Sequence, residues 1–302
     1  MGLTRVPGGR QSIISNHAGT KVAGSQVAKQ MPGVTHDVSI DPERGVVTKR
    51  FRSWARNEPA REWAALRLLA GSAAGLAPRP LSASLGAGPP VIRMSWLPGE
   101  PLGAGPVAPE QAQALARSLD RLWRSVPPGR LAGLPAPEPN PEAFAGQVRQ
   151  GLAAGHDLGR DPLVRRAAAA AAAWLQGGAI TPGDHADRGT VFGHGDANLA
   201  NFLWDGRRVR LVDFEDSGPS ERAFELAILV EHLSAWPDGR LDADTFAASF
   251  DLAAAERARL LQFRRLAALF WLLMLRPGGR ASRRNPPGTL RRQADRLLAL
   301  LG

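Results

Sequence analysis

Two neighbouring stretches decide the fold of this chain: VFGHGDANLANFL at residues 191–203 and VRLVDFED at residues 209–216. In the first stretch, two apolar runs flank a polar turn, and the second stretch is an apolar run that ends in carboxylates. Short apolar runs bounded by turn residues predict buried strands. We therefore expect His194, Asp196, Asn201 and Asp213 to lie at strand ends and in the loop between the strands.

The spacing of these polar residues indicates their chemistry. Asn201 follows Asp196 by five positions, and Asp213 follows Asn201 by twelve more. At this spacing one carboxylate can orient a hydroxyl group while an amide oxygen and a second carboxylate bind Mg²⁺, which prefers oxygen ligands. The pattern is typical of a phosphoryl-transfer site, although the loop by itself would also fit a hydrolase.

Length and composition describe an ordinary globular protein. The chain has 302 residues, of which 44% are hydrophobic and 22% charged, so two lobes are favoured over one. The absence of cysteine excludes disulfides and thiolate metal sites. No apolar run reaches the length of a membrane span, and the N-terminal residues contain no apolar core of a secretory signal. We expect a cytoplasmic protein without membrane contact.

The charge balance is strongly basic. The net charge is +10, and only three of the 38 basic residues are lysines. An arginine cluster between residues 276 and 296 could hold nucleic acid, but no aromatic residues are interleaved with it, so a solvated surface is favoured. A basic protein attracts an anionic nucleotide and is less suited to a polycationic substrate. The sequence does not indicate an oligomeric state.

The N-terminal part reads as a small β-rich unit. Residues 1–30 are polar and glycine-rich and are treated as an extension, with a short strand conceivable at residues 12–15. Residues 38–40 and 46–51 predict two strands joined by a Pro/Gly turn. A helix should follow, capped by Asn57 and ending near Ala70, with Glu62 on the same face as two leucines and so directed towards the sheet. A further strand is expected at residues 91–96.

The remainder reads as a hinge and a helical unit. Residues 97–106 are rich in Pro and Gly and form the best linker candidate. After the linker the pattern predicts helices at residues 109–125, 141–154, 162–176, 220–235, 253–276 and 287–301. The expected organisation is an extension at 1–30, a nucleotide-binding lobe at 31–97 and a catalytic, substrate-binding lobe at 98–302.

These motifs resemble those of the aminoglycoside phosphotransferase and choline kinase-like family, relatives of the protein kinases. The resemblance spans roughly residues 30–300. It is specific over residues 194–216 and weaker around Lys49, around residues 61–66, in the hinge at residues 94–100 and in the late helix at residues 262–267. It implies an α+β, bilobal protein-kinase-like fold with a small β-rich N-terminal lobe and a larger, mostly helical C-terminal lobe.

The resemblance also implies an ATP- and Mg²⁺-dependent transfer of the γ-phosphate to a small-molecule hydroxyl. Asp196 would be the catalytic base, and His194 would pack beneath the catalytic loop. Asn201 and Asp213 would bind Mg²⁺. For nucleotide binding, the resemblance implies that Lys49 contacts the phosphates and is held by Glu62. The backbone of the hinge residues Met94, Ser95 and Trp96 would pair with adenine.

Several alternatives stay open at this point. Lys49 could be a solvated edge-strand lysine, and Glu58 competes with Glu62 as its partner. Glu215 and Asp216 could lie near the metal or in solvent. The other histidines, among them His36 and His232, have no metal-ligand spacing and are interpreted as incidental.

Two positions depart from the family pattern. The phosphate-covering loop expected at residues 33–38 contains one glycine, where a Gly-rich loop would have several. Glu225 replaces the Asp that the family has at this position, where the side chain braces the catalytic loop. The thin phosphate loop leaves room for a non-catalytic, kinase-like regulatory protein. The acceptor could be an aminoglycoside or macrolide, an amino alcohol, a sugar or a homoserine-like metabolite.

Overall fold

The computed structural model describes residues 36–86, 88–131, 134, 140–177 and 190–302. The predicted extension at residues 1–30, with its strand at 12–15, and the first part of the predicted phosphate loop, residues 33–35, lie outside these ranges. None of the helices within them combines the length and apolar character of a membrane span.

The N-terminal lobe is a four-stranded antiparallel sheet with one helix packed on it. In chain order its elements are β1 (His36–Asp41), β2 (Val46–Phe51), α1 (Glu58–Ser72), β3 (Pro80–Ser84) and β4 (Val91–Ser95). The strand order is β1-β2-β4-β3, so β2 and β4 lie at the centre of the sheet. Phe51 and Ile92 of these central strands are buried beneath α1.

The predicted hairpin is confirmed. In its turn, Arg44 N–H donates to the side chain of Asp41, and Gly45 N–H donates to the Pro42 carbonyl. Gly45 has a φ of 63°, which favours glycine because it lacks a Cβ. The turn sets the register in which Val38 lies opposite Lys49.

Helix α1 follows the prediction on its buried face and in its starting position. Glu62, Leu66 and Leu69 are all buried against the sheet, as the helical spacing requires. Asn57 is the N-cap residue, as predicted, but its backbone is left-handed, with φ 61°, and its side chain makes no capping hydrogen bond. Strand β3 was not expected, since Pro80 and two serines give it little strand character.

The C-terminal lobe is mostly helical and contains two small sheets. Its elements are β5 (Glu100–Pro101), α2 (Pro109–Trp123), α3 (Pro128–Leu131), α4 (Pro141–Ala153), α5 (Pro162–Gln176), β6 (Thr190–Gly193), β7 (Phe202–Trp204), β8 (Val209–Leu211), β9 (Gly218–Glu221), α6 (Arg222–Val230), α7 (Ala243–Ala248), α8 (Ala254–Met274), α9 (Arg280–Arg284) and α10 (Thr289–Leu301). One sheet has the order β5-β7-β8, and the other pairs β6 with β9.

The predicted helices are present with shifted ends. The helix expected at residues 220–235 begins at Arg222, because residues 218–221 pair with β6 as strand β9. It ends at Val230. Ser234, shortly after it, contacts Leu199 in the predicted catalytic loop, residues 194–201 between β6 and β7. Short helices such as α7 and α9 carry too little periodic pattern to be predicted.

The hinge is fixed to the C-terminal lobe. Glu100 of β5 lies opposite Trp204 of β7, and the buried Arg210 donates to the Pro98 carbonyl at 2.6 Å. The predicted linker, residues 97–106, therefore contains β5 and is tied to the small sheet of the C-terminal lobe.

A buried carboxylate joins three helices of the C-terminal lobe. Glu231, at the end of α6, is fully buried and accepts from Arg264 of α8 at 2.7 Å and from Arg296 of α10. Because both guanidinium groups bind one carboxylate, this contact holds α6, α8 and α10 together.

Candidate active site

The two lobes meet at a buried lysine. Lys49 of β2 is 3% exposed, and its Nζ donates to Glu62 of α1 at 2.7 Å. The same ammonium contacts Asp213 and lies 2.8 Å from a carboxylate oxygen of Glu215, both after β8. Glu62, rather than Glu58, is therefore the α1 partner of Lys49, and Lys49 is not on a solvated edge.

The charges of this cluster do not balance, since three carboxylates face one ammonium. Burial lowers the pKa of Lys49, but the charges of Asp213, Glu62 and Glu215 outweigh it and raise that pKa well above its usual value. Burial raises the pKa of Glu62, with Lys49 opposing this effect. For Glu215, burial acts in the same direction, but His36 and Lys49 hold its pKa at about 2. A buried cluster with an excess of carboxylates is suited to a further cation.

The catalytic loop places the Asp196 carboxylate by two hydrogen bonds. One oxygen accepts from Asn198 N–H at 3.0 Å, and the other accepts from Nδ2 of Asn201 at 2.8 Å. Since Asn201 uses its amide nitrogen here, its Oδ1 does not take part in this hydrogen bond and can serve as a ligand atom. The 3₁₀ turn Leu199–Asn201 brings the two residues together despite their separation in sequence.

Glu225 of α6 braces this loop from below. Its carboxylate accepts from His194 N–H at 2.9 Å, from Gly195 N–H at 3.4 Å and from Ser220 Oγ at 2.7 Å. A Cβ on Gly193 would lie 2.3 Å from Glu225 Oε1. The longer side chain, compared with the Asp of the family pattern, is therefore accommodated by the absence of a side chain at residue 193.

His194 is a packing residue within this geometry. Its imidazole is 2% exposed, contacts the rings of Phe202 and Phe214, and lies 2.9 Å from the Val212 carbonyl through Nε2. The ring thus links the start of the catalytic loop to the strand that leads to Asp213.

Asp216 completes the floor of the site. Burial raises its pKa to about 6, while Arg56, 2.8 Å away, opposes the shift. Gly195 packs against this residue, since a Cβ at Gly195 would lie 2.1 Å from the Asp216 carbonyl oxygen, and its φ of 82° also excludes most side chains. Asp213 itself has φ 70°, an uncommon backbone for a residue other than Gly, Asn or Asp.

With this geometry, the comparisons with known proteins agree. A sequence model described as the phosphotransferase enzyme family matches residues 37–261, about three quarters of the chain. The chain belongs to the phosphotransferase enzyme family. A search of curated proteins gave no match.

Solved structures show that this phosphotransferase has the protein-kinase-like fold. A choline/ethanolamine kinase family protein from Mesorhizobium loti is 18% identical, with TM-score 0.58 over 92% of this chain and 88% of the other. Choline kinase LicA from Streptococcus pneumoniae is 13% identical, with TM-score 0.57 over 92% and 93%. A thermostable mutant of aminoglycoside phosphotransferase APH(4)-Ia, in a complex with AMP-PNP and hygromycin B, is 14% identical, with TM-score 0.60 over 92% of each chain.

Two histidines that the sequence did not single out lie in the site of this phosphotransferase. His36, at the start of β1, places Nδ1 3.4 Å from Glu215. His232, after α6, is close enough to Asp196 for the aspartate charge to act on its pKa. Both are far in sequence from the motifs, so no spacing rule could have placed them beside the predicted site residues.

The hinge of the phosphotransferase uses two of its predicted donors within the protein. Ser95 N–H donates to the Arg79 carbonyl, and Trp96 N–H donates to the Gly45 carbonyl at 2.8 Å. Met94 is buried in β4, between β2 and β3. Among the residues that the structure describes, none accepts a hydrogen bond from Leu97 N–H.

A metal-binding set is also present. His36, Asp213 and Glu215 offer ligand atoms within 4.8 Å of one another. Carboxylate oxygens suit Mg²⁺, whereas an imidazole does not belong to its preferred ligands. By donor chemistry, the carboxylates of Asp213 and Glu215 and the amide oxygen of Asn201 are the atoms of this region that suit Mg²⁺.

Proposed function

We propose that this phosphotransferase transfers the γ-phosphate of ATP to a hydroxyl group of a small molecule, with Mg²⁺. The observation that carries the proposal is the junction of Lys49 with Glu62 and Asp213, which joins a cation of the N-terminal lobe to a carboxylate that follows β8 in the C-terminal lobe. Phosphoryl transfer depends on positioning and on charge stabilisation, which is what a buried cation beside a fixed carboxylate supplies.

In the proposed reaction, Asp196 orients the acceptor hydroxyl and accepts its proton. The acceptor oxygen forms a bond to the γ-phosphorus, the bond from that phosphorus to the β–γ bridging oxygen breaks, and ADP leaves with the electron pair. Lys49 offsets charge on the phosphates. Asp213 and Asn201 would hold Mg²⁺, which supplies charge neutralisation at the transferring phosphate.

For the nucleotide, the hinge offers a narrower set of contacts than the sequence predicts. The Leu97 amide, one residue beyond Met94–Trp96, is the donor we assign to adenine, and the carbonyl groups of Ser95 and Trp96 are candidate acceptors. AMP-PNP in the related APH(4)-Ia complex supports a nucleotide in this fold. We place the nucleotide-binding lobe at residues 31–97 and the catalytic, acceptor-binding lobe at residues 98–302.

Two substitutions test the chemical roles. We expect Asp196→Asn to lower kcat by roughly 100-fold or more, the usual effect of losing a general base, with the KM for ATP within about threefold of the parent value. Asp213→Ala should abolish transfer and Mg²⁺-dependent binding of AMP-PNP. Thermal unfolding and circular dichroism serve as fold controls, and either variant being as active as the parent would refute the assignment.

The acceptor is found with a panel of hydroxyl compounds. The panel contains hygromycin B, choline, glucose, homoserine and one macrolide, which represent the classes of acceptor under consideration. The loss of γ-phosphate from ATP is measured with each compound. Tight, Mg²⁺-dependent ATP binding without transfer to any acceptor would instead support a regulatory, non-catalytic protein.

A further inference from the structure

His232 occupies a turn that contacts the catalytic loop. Its Nδ1 accepts from Ser234 N–H at 3.0 Å and lies 2.7 Å from Ser234 Oγ. Ser234 Oγ in turn accepts from Leu199 N–H at 2.9 Å, at the start of the 3₁₀ turn that carries Asn201. The imidazole is therefore connected to the Asp196–Asn201 pair through one serine.

These contacts fix the tautomer of the ring. A backbone N–H can only donate, so Nδ1 must carry a lone pair, and the proton of the neutral ring lies on Nε2. Burial lowers the pKa of His232 to about 4, although the charge of Asp196 acts in the opposite direction. The ring is thus neutral at pH 7 and presents an N–H donor.

The Nε2 side of the ring has no partner in the described part of the protein. His232 is half-buried, and both of its ring hydrogen bonds to described residues are made by Nδ1. The ring lies edge-on to Trp271 of α8, with centroids 4.9 Å apart and an interplanar angle of 87°, and Trp271 is itself half-buried. An aromatic surface next to a neutral donor is suited to a ligand that has both an apolar face and an oxygen acceptor.

The neighbouring carboxylate does not change this chemistry. Glu231, adjacent in sequence, is fully buried and is held by Arg264 and Arg296. It therefore offers no open negative charge that could attract an ammonium group to this part of the cleft.

We propose that His232 is an acceptor-binding residue, which donates its Nε2–H to an oxygen of the acceptor beside the hydroxyl that Asp196 activates. The inference rests on the proposed function, since it assigns a contact within the same site. His232 neither gains nor loses a proton in the reaction. It orients the acceptor oxygen through a neutral hydrogen bond, and it favours oxygen-bearing groups over ammonium groups at that position.

Two isosteric variants separate this role from a structural one. In His232→Gln, the side-chain amide N–H occupies the place of Nε2, so the donor to the acceptor is retained and the contact to Ser234 is lost. In His232→Asn, the amide group occupies the place of Nδ1, so the contact to Ser234 is retained and the donor is lost. A residue that only braces the loop predicts a loss in the Gln variant and retention in the Asn variant.

The measurements use every panel acceptor that the parent phosphorylates. We expect His232→Asn to lower kcat/KM for that acceptor roughly three- to tenfold, the loss of one neutral hydrogen bond, while the KM for ATP stays within about twofold. His232→Gln should stay within about twofold of the parent in kcat/KM. Equal losses in both variants, no loss in either, or a loss confined to His232→Gln would overturn the proposal.

A second measurement does not depend on the variants folding. The Nε2 proton of His232, which we assign by through-bond coupling, should shift when an acceptor that the parent phosphorylates is added to the parent, and not with AMP-PNP alone. An unshifted signal at saturating acceptor would overturn the proposal. A parent that phosphorylates no panel member contradicts the proposed function itself, whereas an active parent with an unaffected His232→Asn variant contradicts only the role of His232.

Discussion

Replacing Lys49 by Met removes the single ammonium from a buried group of three carboxylates. The side chain of Lys49 is 4% exposed and that of Glu62 is 1% exposed, so neither can be rescued by water. Removing one partner of a buried ion pair costs about 3–5 kcal/mol, because the remaining charge is left uncompensated. We expect Lys49→Met to lower the free energy of unfolding by about 3 kcal/mol at pH 7.5 and to lower the unfolding midpoint by roughly 6–12 °C.

The pH dependence of this effect gives a sharper test. Without Lys49, the pKa of Glu62 rises further above its unfolded value, so the folded variant binds protons more readily than the unfolded chain. Stability then increases as the pH falls from neutrality towards the ordinary pKa of a glutamate. The deficit relative to the parent should therefore be smaller at pH 5 than at pH 7.5, as chemical denaturation at the two pH values would show.

An exposed ion pair provides the matched control. Arg44 and Asp41 in the β1–β2 turn lie 3.8 Å apart, and the Arg44 side chain is 79% exposed. Arg44→Met should cost less than about 1 kcal/mol, with little pH dependence. The reasoning fails if Lys49→Met is no more destabilising than the control, or if its deficit is the same at both pH values.

Three further substitutions test the surroundings of the site. Gly193→Ala should lower the unfolding midpoint and reduce phosphate transfer, because the new Cβ would meet the Glu225 carboxylate. Gly146→Ala in α4 is the control: no atom lies within 4 Å of the new Cβ, so this variant should be neutral or slightly stabilising in the same thermal scans. Asp216→Asn should gain stability relative to the parent as the pH rises from about 4 to about 6. The pKa of Asp216 in the folded parent is about 6, above its unfolded value, so ionisation of Asp216 disfavours the folded parent in that range. A stability difference that does not change with pH in denaturant titrations would contradict this. Glu231→Gln removes the buried carboxylate that two half-buried guanidinium groups share, although Arg264 keeps its ion pair with the exposed Asp244. The change should cost about 3 kcal/mol, the low end for breaking a buried ion pair, and a loss below about 1 kcal/mol would show that the carboxylate does not hold the helices together.

Much of the fold and the central part of the site could be predicted because each rests on a local signal. The hairpin at residues 36–51 has its turn chemistry, and the long helices have apolar faces of the correct period. The loop from His194 to Asn201 has a fixed spacing. The direction of Glu62 followed from two leucines one and two turns further along α1, and the structure confirms it.

What could not be predicted depends on contacts between distant parts of the chain. His36 and His232 reach the site from β1 and from the turn after α6, and neither carries a local motif. Strand β3 is held by its pairing with β4, which compensates for a sequence with weak strand preference. The sequence places Asn57 at the N-cap of α1, but it does not show that the backbone there is left-handed or that the side chain makes no capping hydrogen bond.

The contact between Gly193 and Glu225 limits how this sequence can diverge. Any residue larger than glycine at position 193 would meet the Glu225 carboxylate and also the Cβ of Ser220, so a shorter acid at position 225 would remove only one of the two clashes. An aspartate at 225 would in addition draw the carboxylate away from the His194 and Gly195 amides. In homologous chains, we therefore expect glycine at the position of Gly193 wherever a long acid stands at the position of Glu225.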